Sequence, residues 1–254
     1  MVKKHIFSIL TFCCISITMY GQDYIYSNQN KLLGRENPSF YSFDQESHMG
    51  VAYATQKILN NDSSIENSYV FGSYFFEDYG FSLALDVNLF QISELGYSST
   101  LANLHYIYKT NLTYEWVLNS SISFGYGNSK LDFSSLVFED QIDILTGNIS
   151  GFSIDPLNAN NGISYFDLGA GAHIHNSRNM FFGLNLKHLN RPNISLNDEF
   201  DDNIDILVSL QAGYEIDLNP FRSTFLPTDS FLFMYGSVTK QAKKSRFDFY
   251  QEVV

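Results

Sequence analysis

The sequence predicts an all-β fold: an antiparallel transmembrane β-barrel of the outer-membrane type, with about ten strands and incomplete at its C-terminus. Three observations predict it. The first is strict two-residue alternation, seen best in Tyr79–Leu89. There Tyr79, Phe81, Leu83, Leu85, Val87 and Leu89 are large and apolar, and Gly80, Ser82, Ala84, Asp86 and Asn88 are small or polar. A strand with one oily and one wet face reads this way, whereas a 3.6-residue period would scatter the large side chains around a helix axis. The second is length, since about 11 residues is what a tilted strand needs to cross a bilayer. The third is composition. Aromatic residues make up 16% and charged residues only 17%, the latter below the usual share of about a quarter. A mean hydropathy near zero fits as well, because every second residue of a barrel strand is polar.

The first residues are set aside. Lys3 and Lys4 form a basic start, Ile6 to Ile17 is an apolar core, and Tyr20-Gly21-Gln22 offers a small residue before a polar start. Residues 1–21 therefore read as a signal peptide, too short and too flanked for a membrane span. Both cysteines, Cys13 and Cys14, lie inside it, with no small residue upstream of either to mark a lipidation site. The exported chain then has no disulfide and depends on its sheet. The net charge of −12 excludes nucleic acid as a partner, because phosphates repel such a surface.

Residues 22–254 form the barrel domain, of which 22–48 reads as an irregular lead-in or plug. It contains Asn37-Pro38-Ser39-Phe40, where proline favours a turn or cap. Strands are expected at Met49–Leu59, Ile65–Phe75, Tyr79–Leu89, Tyr97–Lys109, Tyr114–Gly127, Gly162–Ile174, Met180–Leu189, Ile206–Ile216 and Ser230–Thr239. Phe247–Val254 reads as a final, partial strand after a basic turn, Lys240 to Lys244. Asn60-Asn61-Asp62-Ser63-Ser64, Glu77-Asp78, Asn111 and Asn176–Asn179 supply turns. Leu131–Asn160 and the acidic Asn190–Asp205 are long connections, and with a periplasmic N-terminus both fall outside the cell. The long connection Asp217–Asp229 breaks that alternation of short and long. Tyr97, Tyr114, Tyr126, Tyr165 and Tyr214 lie near strand ends, where an interfacial girdle belongs.

No catalytic, phosphate-binding or cofactor motif stands out: there is no Gly-x-Ser-x-Gly, no His-Glu-x-x-His and no P-loop. His173 and His175 share a strand face and can ligate a metal, but they stand at a strand end with no cysteine or third histidine nearby. His188 and Lys187 read as polar trim at a strand end. Asp198-Glu199-Phe200-Asp201-Asp202 with Asp205 lacks the glycine of a calcium loop and reads as a solvated loop. Asp86, Glu115 and Asp167 are single acids on wet faces, with nothing in the sequence to pair them with a nucleophile.

Several segments in order resemble the PorP/SprF family of type IX secretion system membrane proteins. Asn37-Pro38-Ser39-Phe40 is similar to the family's Asn-Pro-Ala-Tyr/Phe element, with Ser39 in place of the usual alanine. Lys130–Leu136, followed by Asp140 and Asp143, is similar to its Leu-Asp-Phe-Ser-Ser-Leu stretch. Phe166–Gly171, Phe182-Gly183-Leu184 and His188-Leu189-Asn190 resemble its Phe-x-x-Gly-x-Gly, Gly-Leu and His-Leu-x-Asn segments. The likeness runs from about residue 24 to about residue 216. It implies a non-enzymatic outer-membrane barrel of Gram-negative bacteria, surrounded by outer-membrane lipid. Its role would be to help secreted surface adhesins of the gliding type cross or attach, in contact with periplasmic secretion components. Asn37, Pro38 and Phe40 are the family-motif positions, and so the expected partner contacts. The resemblance also implies further strands and an aromatic end, where this chain closes on Glu252-Val253-Val254. The residues alone leave two other readings open. One is a channel or hydrophobic-solute transport barrel, and the other is a soluble exported β-sandwich that binds ligands.

Overall fold

The computed structural model describes residues 32–57, 64–93, 96–132, 137, 139–143, 146–151, 153, 162–176, 179–195, 201–220, 227 and 230–253. The expected signal peptide lies outside these residues, as do the start of the lead-in, Phe133–Leu136 and Asp198–Phe200.

Ten strands form one antiparallel sheet in which each strand pairs only with its neighbours in sequence. They are β1 (His48–Lys57), β2 (Ser64–Phe76), β3 (Phe81–Ile92), β4 (Tyr97–Asn111) and β5 (Trp116–Leu131), then β6 (Gly162–Asn176), β7 (Met180–Lys187), β8 (Leu207–Asp217), β9 (Phe231–Gln241) and β10 (Lys244–Val253). β1 and β10 are not paired with each other, so the barrel is not closed. No helix among the described residues is long and apolar enough to cross a membrane.

The expected strands are all present, with shifted ends. β3 starts at Phe81 and not at Tyr79, because Glu77–Tyr79 coils into a 3-10 turn. Gly80 ends that turn at φ 65, a conformation glycine adopts without steric cost, and its N–H reaches back to the Phe76 carbonyl. β5 runs on to Leu131, pairing with β4 from one end to the other. β10 is a full strand, correcting the partial one: Lys244 to Val253 pair in register with Gln241 to Leu232. The basic turn shrinks to Ala242-Lys243, with Lys240 and Lys244 inside strands.

Burial is inverted relative to a water-soluble protein. The buried set is dominated by polar strand residues, among them Asn67, Ser82, Asn119, Asn185 and Ser209. The large apolar residues of the same strands face outward: Leu85 and Phe124 are each 55% exposed, and Leu104, Ile122, Phe182 and Leu210 are similar. Such a face loses its hydrophobic free energy in water and keeps it in hydrocarbon. A two-sheet sandwich requires the opposite, apolar rows packed against each other.

A short segment ahead of β1 shows that the sheet curls. Glu36 reaches Tyr235 on β9, and Tyr41 reaches Tyr69 on β2. In a flat sheet those strands would be roughly 34 Å apart, at about 4.8 Å per strand. A segment laid across such a flat sheet would also expose its far side, yet Asn37, Ser39, Phe40, Tyr41 and Ser42 are all buried. The sheet therefore wraps around the segment, with its polar face forming the lumen.

Candidate functional site: a plugged polar lumen

The lumenal segment consists of one helical turn, Leu33–Glu36, followed by a 3-10 turn, Pro38–Ser42. Asn37 joins them and caps the second turn. Its Oδ1 accepts from the Ser39 N–H at 3.2 Å and from the Ser39 hydroxyl at 2.6 Å. Pro38 follows at the first position, where a missing N–H costs nothing. Asn37 Nδ2 donates outward, within reach of the Ala172 carbonyl (3.2 Å), the Leu184 carbonyl (3.3 Å) and Gln211 Oε1 (3.1 Å). One side chain thus ties β6, β7 and β8 to the plug.

Two glycines make room for it. A Cβ on Gly171 would stand 2.5 Å from Asn37 Oδ1, and one on Gly183 would stand 3.0 Å from Asn37 Nδ2. Beside them Glu36 accepts from the Ser209 hydroxyl at 3.0 Å and from the Tyr235 hydroxyl. Asn185 Nδ2 donates to the Glu36 carbonyl at 2.6 Å, and Lys187 Nζ to the Arg35 carbonyl at 3.1 Å. On the other side Ser82 Oγ donates to Ser42 Oγ at 3.0 Å, and Tyr41 shares a hydrogen bond with Tyr69. Burial pushes the Tyr41 hydroxyl well above the ordinary phenol range, and the nearby Asp86 carboxylate adds to the shift.

Aromatic packing supports these polar contacts. Phe40 meets Phe181 edge-on at 5.1 Å and lies 4.2 Å from the His173 ring. His173 and His175 stack at 4.9 Å, and Phe43 covers the latter at 4.8 Å. Among the described residues no three His, Cys, Asp or Glu side chains come together as a metal site.

Beyond the plug, toward the long β5–β6 and β7–β8 connections, lies a cavity of about 480 Å³. Asp86, His105, Ser123, Asp167, Lys187 and His188 are among the residues that line it. Two acids of the wet faces have found histidines. Asp86 Oδ2 is 2.6 Å from His105 Nε2, and His105 Nδ1 is 2.7 Å from the Ser123 hydroxyl. Asp167 Oδ2 is 3.0 Å from His188 Nδ1. This corrects two sequence readings. Asp86 is not a single unpaired acid but meets a histidine, and His188, only 2% exposed, is a buried group and not trim at a strand end. Glu115 stays exposed in the β4–β5 turn. In the acidic connection Asp205 pairs with Arg191 at 3.1 Å, and Asp201 accepts from Asn193 at 3.1 Å.

Asn37, Pro38 and Phe40 are all buried against this chain's own strands. The structure also brings together segments that are far apart in sequence. Gly171 and Gly183 form the notch for Asn37, and Asn190 Nδ2 donates to the Phe166 carbonyl at 2.7 Å, with Oδ1 accepting from the Leu168 N–H at 3.0 Å. Glu36, Gln211, His105 and Ser123 escaped the sequence reading. Wet-face position marks the last three, but only strand register shows what each one meets.

The family model described as type IX secretion system membrane protein PorP/SprF matches residues 19–252. Among curated proteins no match to the chain is found.

Proposed function

Because this chain belongs to the PorP/SprF family of type IX secretion system membrane proteins, we propose that it serves that system in the outer membrane of a Gram-negative cell. There it assists export or surface attachment of secreted adhesins, including those of the gliding type, and contacts periplasmic secretion components. Residues 1–21 act as the signal peptide that takes it there. The observation that carries this reading is the occupied lumen. A polar-inside, apolar-outside sheet that encloses its own Leu33–Ser42 segment is built as a fixed membrane platform. A passive channel needs a free path, and Leu33–Ser42 lies across this lumen with contacts from β2 to β9.

The test is a deletion strain complemented with this chain. Surface adhesins should be lost from the deletion strain, as read by surface proteolysis, and restored by the complementing gene. Unchanged adhesin display in the deletion strain overturns the secretion role. Fractionation tests the location separately: the chain should stay with the outer membrane after alkaline carbonate washing and leave it only with detergent.

A further inference from the structure

We propose that Ser123 is a nucleophile, activated through His105 and Asp86, that accepts the acyl group of a small ester entering the lumenal cavity.

The three side chains come from adjacent strands. His105 on β4 stands directly opposite Ser123 on β5, and Asp86 on β3 stands opposite Asn103, two residues along from His105. All three therefore point to the lumen, on rigid elements and not on loops. A neutral imidazole has one N–H and one lone pair. With Nε2–H donating to Asp86 Oδ2 at 2.6 Å, Nδ1 is left as the acceptor for the Ser123 hydroxyl at 2.7 Å. That is the protonation state a general base needs. Asp86 is itself held: Asn103 Nδ2 donates to its other oxygen at 2.9 Å. From behind, Tyr41 of the plug packs on the His105 ring at 5.8 Å. A nucleophile, a base in hydrogen-bond contact and a third group that orients the base make the arrangement that acyl transfer uses on unrelated folds.

The surroundings set the substrate class. Ser123 lines the cavity of about 480 Å³, a size that holds a small ligand and excludes a folded chain. Arg35 and Lys187 line the same space and give it positive charge.

In the reaction Ser123 Oγ bonds to the carbonyl carbon while its proton passes to His105 Nδ1. The carbon–oxygen bond to the alcohol breaks, and the alcohol oxygen takes that proton. Water then attacks the acyl-serine and gives a proton to Nδ1, and Ser123 Oγ recovers that proton as it leaves. The balance is ester plus water to carboxylic acid plus alcohol. Asp86 is a positioning residue throughout.

The experiment uses the full chain in detergent, a fluorescent fluorophosphonate as covalent probe and p-nitrophenyl acetate as substrate. Expected are an adduct mapped by mass spectrometry to Ser123, loss of labelling in Ser123→Ala, and a fall of roughly a hundredfold in His105→Gln. Asp86→Asn should lower kcat at least about tenfold with KM unchanged, which a purely structural role does not predict. Ser129→Ala, a serine of the same cavity, should label like the parent. No adduct on the folded parent, or labelling that persists in Ser123→Ala, overturns the proposal. Adduct mapping on the parent decides the matter if a variant fails to fold.

Discussion

Asn37 and Gln211 lie 174 positions apart in the chain and meet through a side-chain hydrogen bond of 3.1 Å inside the lumen. The contact links the segment ahead of the sheet to its eighth strand. Replacing Asn37 by Ala removes the 3-10 cap and leaves Gln211 Oε1 short of a donor. A buried acceptor without a partner costs about 1–3 kcal/mol. Asn37→Ala should therefore loosen the plug with the sheet intact. Limited proteolysis after Leu32 should speed up roughly tenfold or more, since each 1.4 kcal/mol is a factor of about ten.

The socket can be tested from its other side. In Gly183→Ala the new Cβ would stand 2.5 Å from Gln211 Oε1 and 3.0 Å from Asn37 Nδ2. Proteolysis should speed up as it does in Asn37→Ala. The double variant should be less than additive, since both changes break one seat. Gly236→Ala is the control, because its Cβ meets only the Asp248 carbonyl at 3.9 Å.

The outward rows give a third test. Leu85 points away from the lumen near the middle of β3. In lipid Leu85→Arg should destabilise the barrel by about 2–4 kcal/mol. In water the same exposed substitution falls within about 0.5 kcal/mol. Urea titration of vesicle-inserted protein separates the two, and a near-zero effect would refute a lipid-facing surface.

Alkaline pH should act on the plug through Tyr41. Burial, reinforced by Asp86, raises its folded pKa above the unfolded value of 10.0. The folded form therefore holds its proton when the unfolded form has lost it. The stabilisation is complete below about pH 10 and declines as pH climbs above it. Protease protection of the segment should stay flat to about pH 10 and then fall, with a shallower fall in Tyr41→Phe.

Much of the fold was legible in the sequence because alternation reports which face each residue takes. Ser82, Asp86, Asn119 and His173 could be assigned to one face of the sheet from the pattern alone. Strand ends were less legible. Alternation runs on through Tyr79-Gly80, where the chain turns, and it says little past Gly127, where polar residues continue a paired strand to Leu131. The interior of the lumen was not legible. Asp86 read as a single acid and nothing but wet-face position marked His105 and Ser123, so only the register of β3, β4 and β5 places the three in line. Asn37 was singled out for its motif, but its socket of Gly171 and Gly183 depends on strands that follow by more than a hundred residues.

The strictly sequential strand order bears on assembly. Hairpins can be added one after another, each strand pairing with the one just before it and none waiting for a strand distant in sequence. Leu33–Ser42 is the exception. It leaves the ribosome before any hairpin, yet its socket is finished only when β9 has docked. What comes first in the chain therefore gains its last anchor, the Tyr235 hydroxyl on Glu36, only after eight other strands are in place.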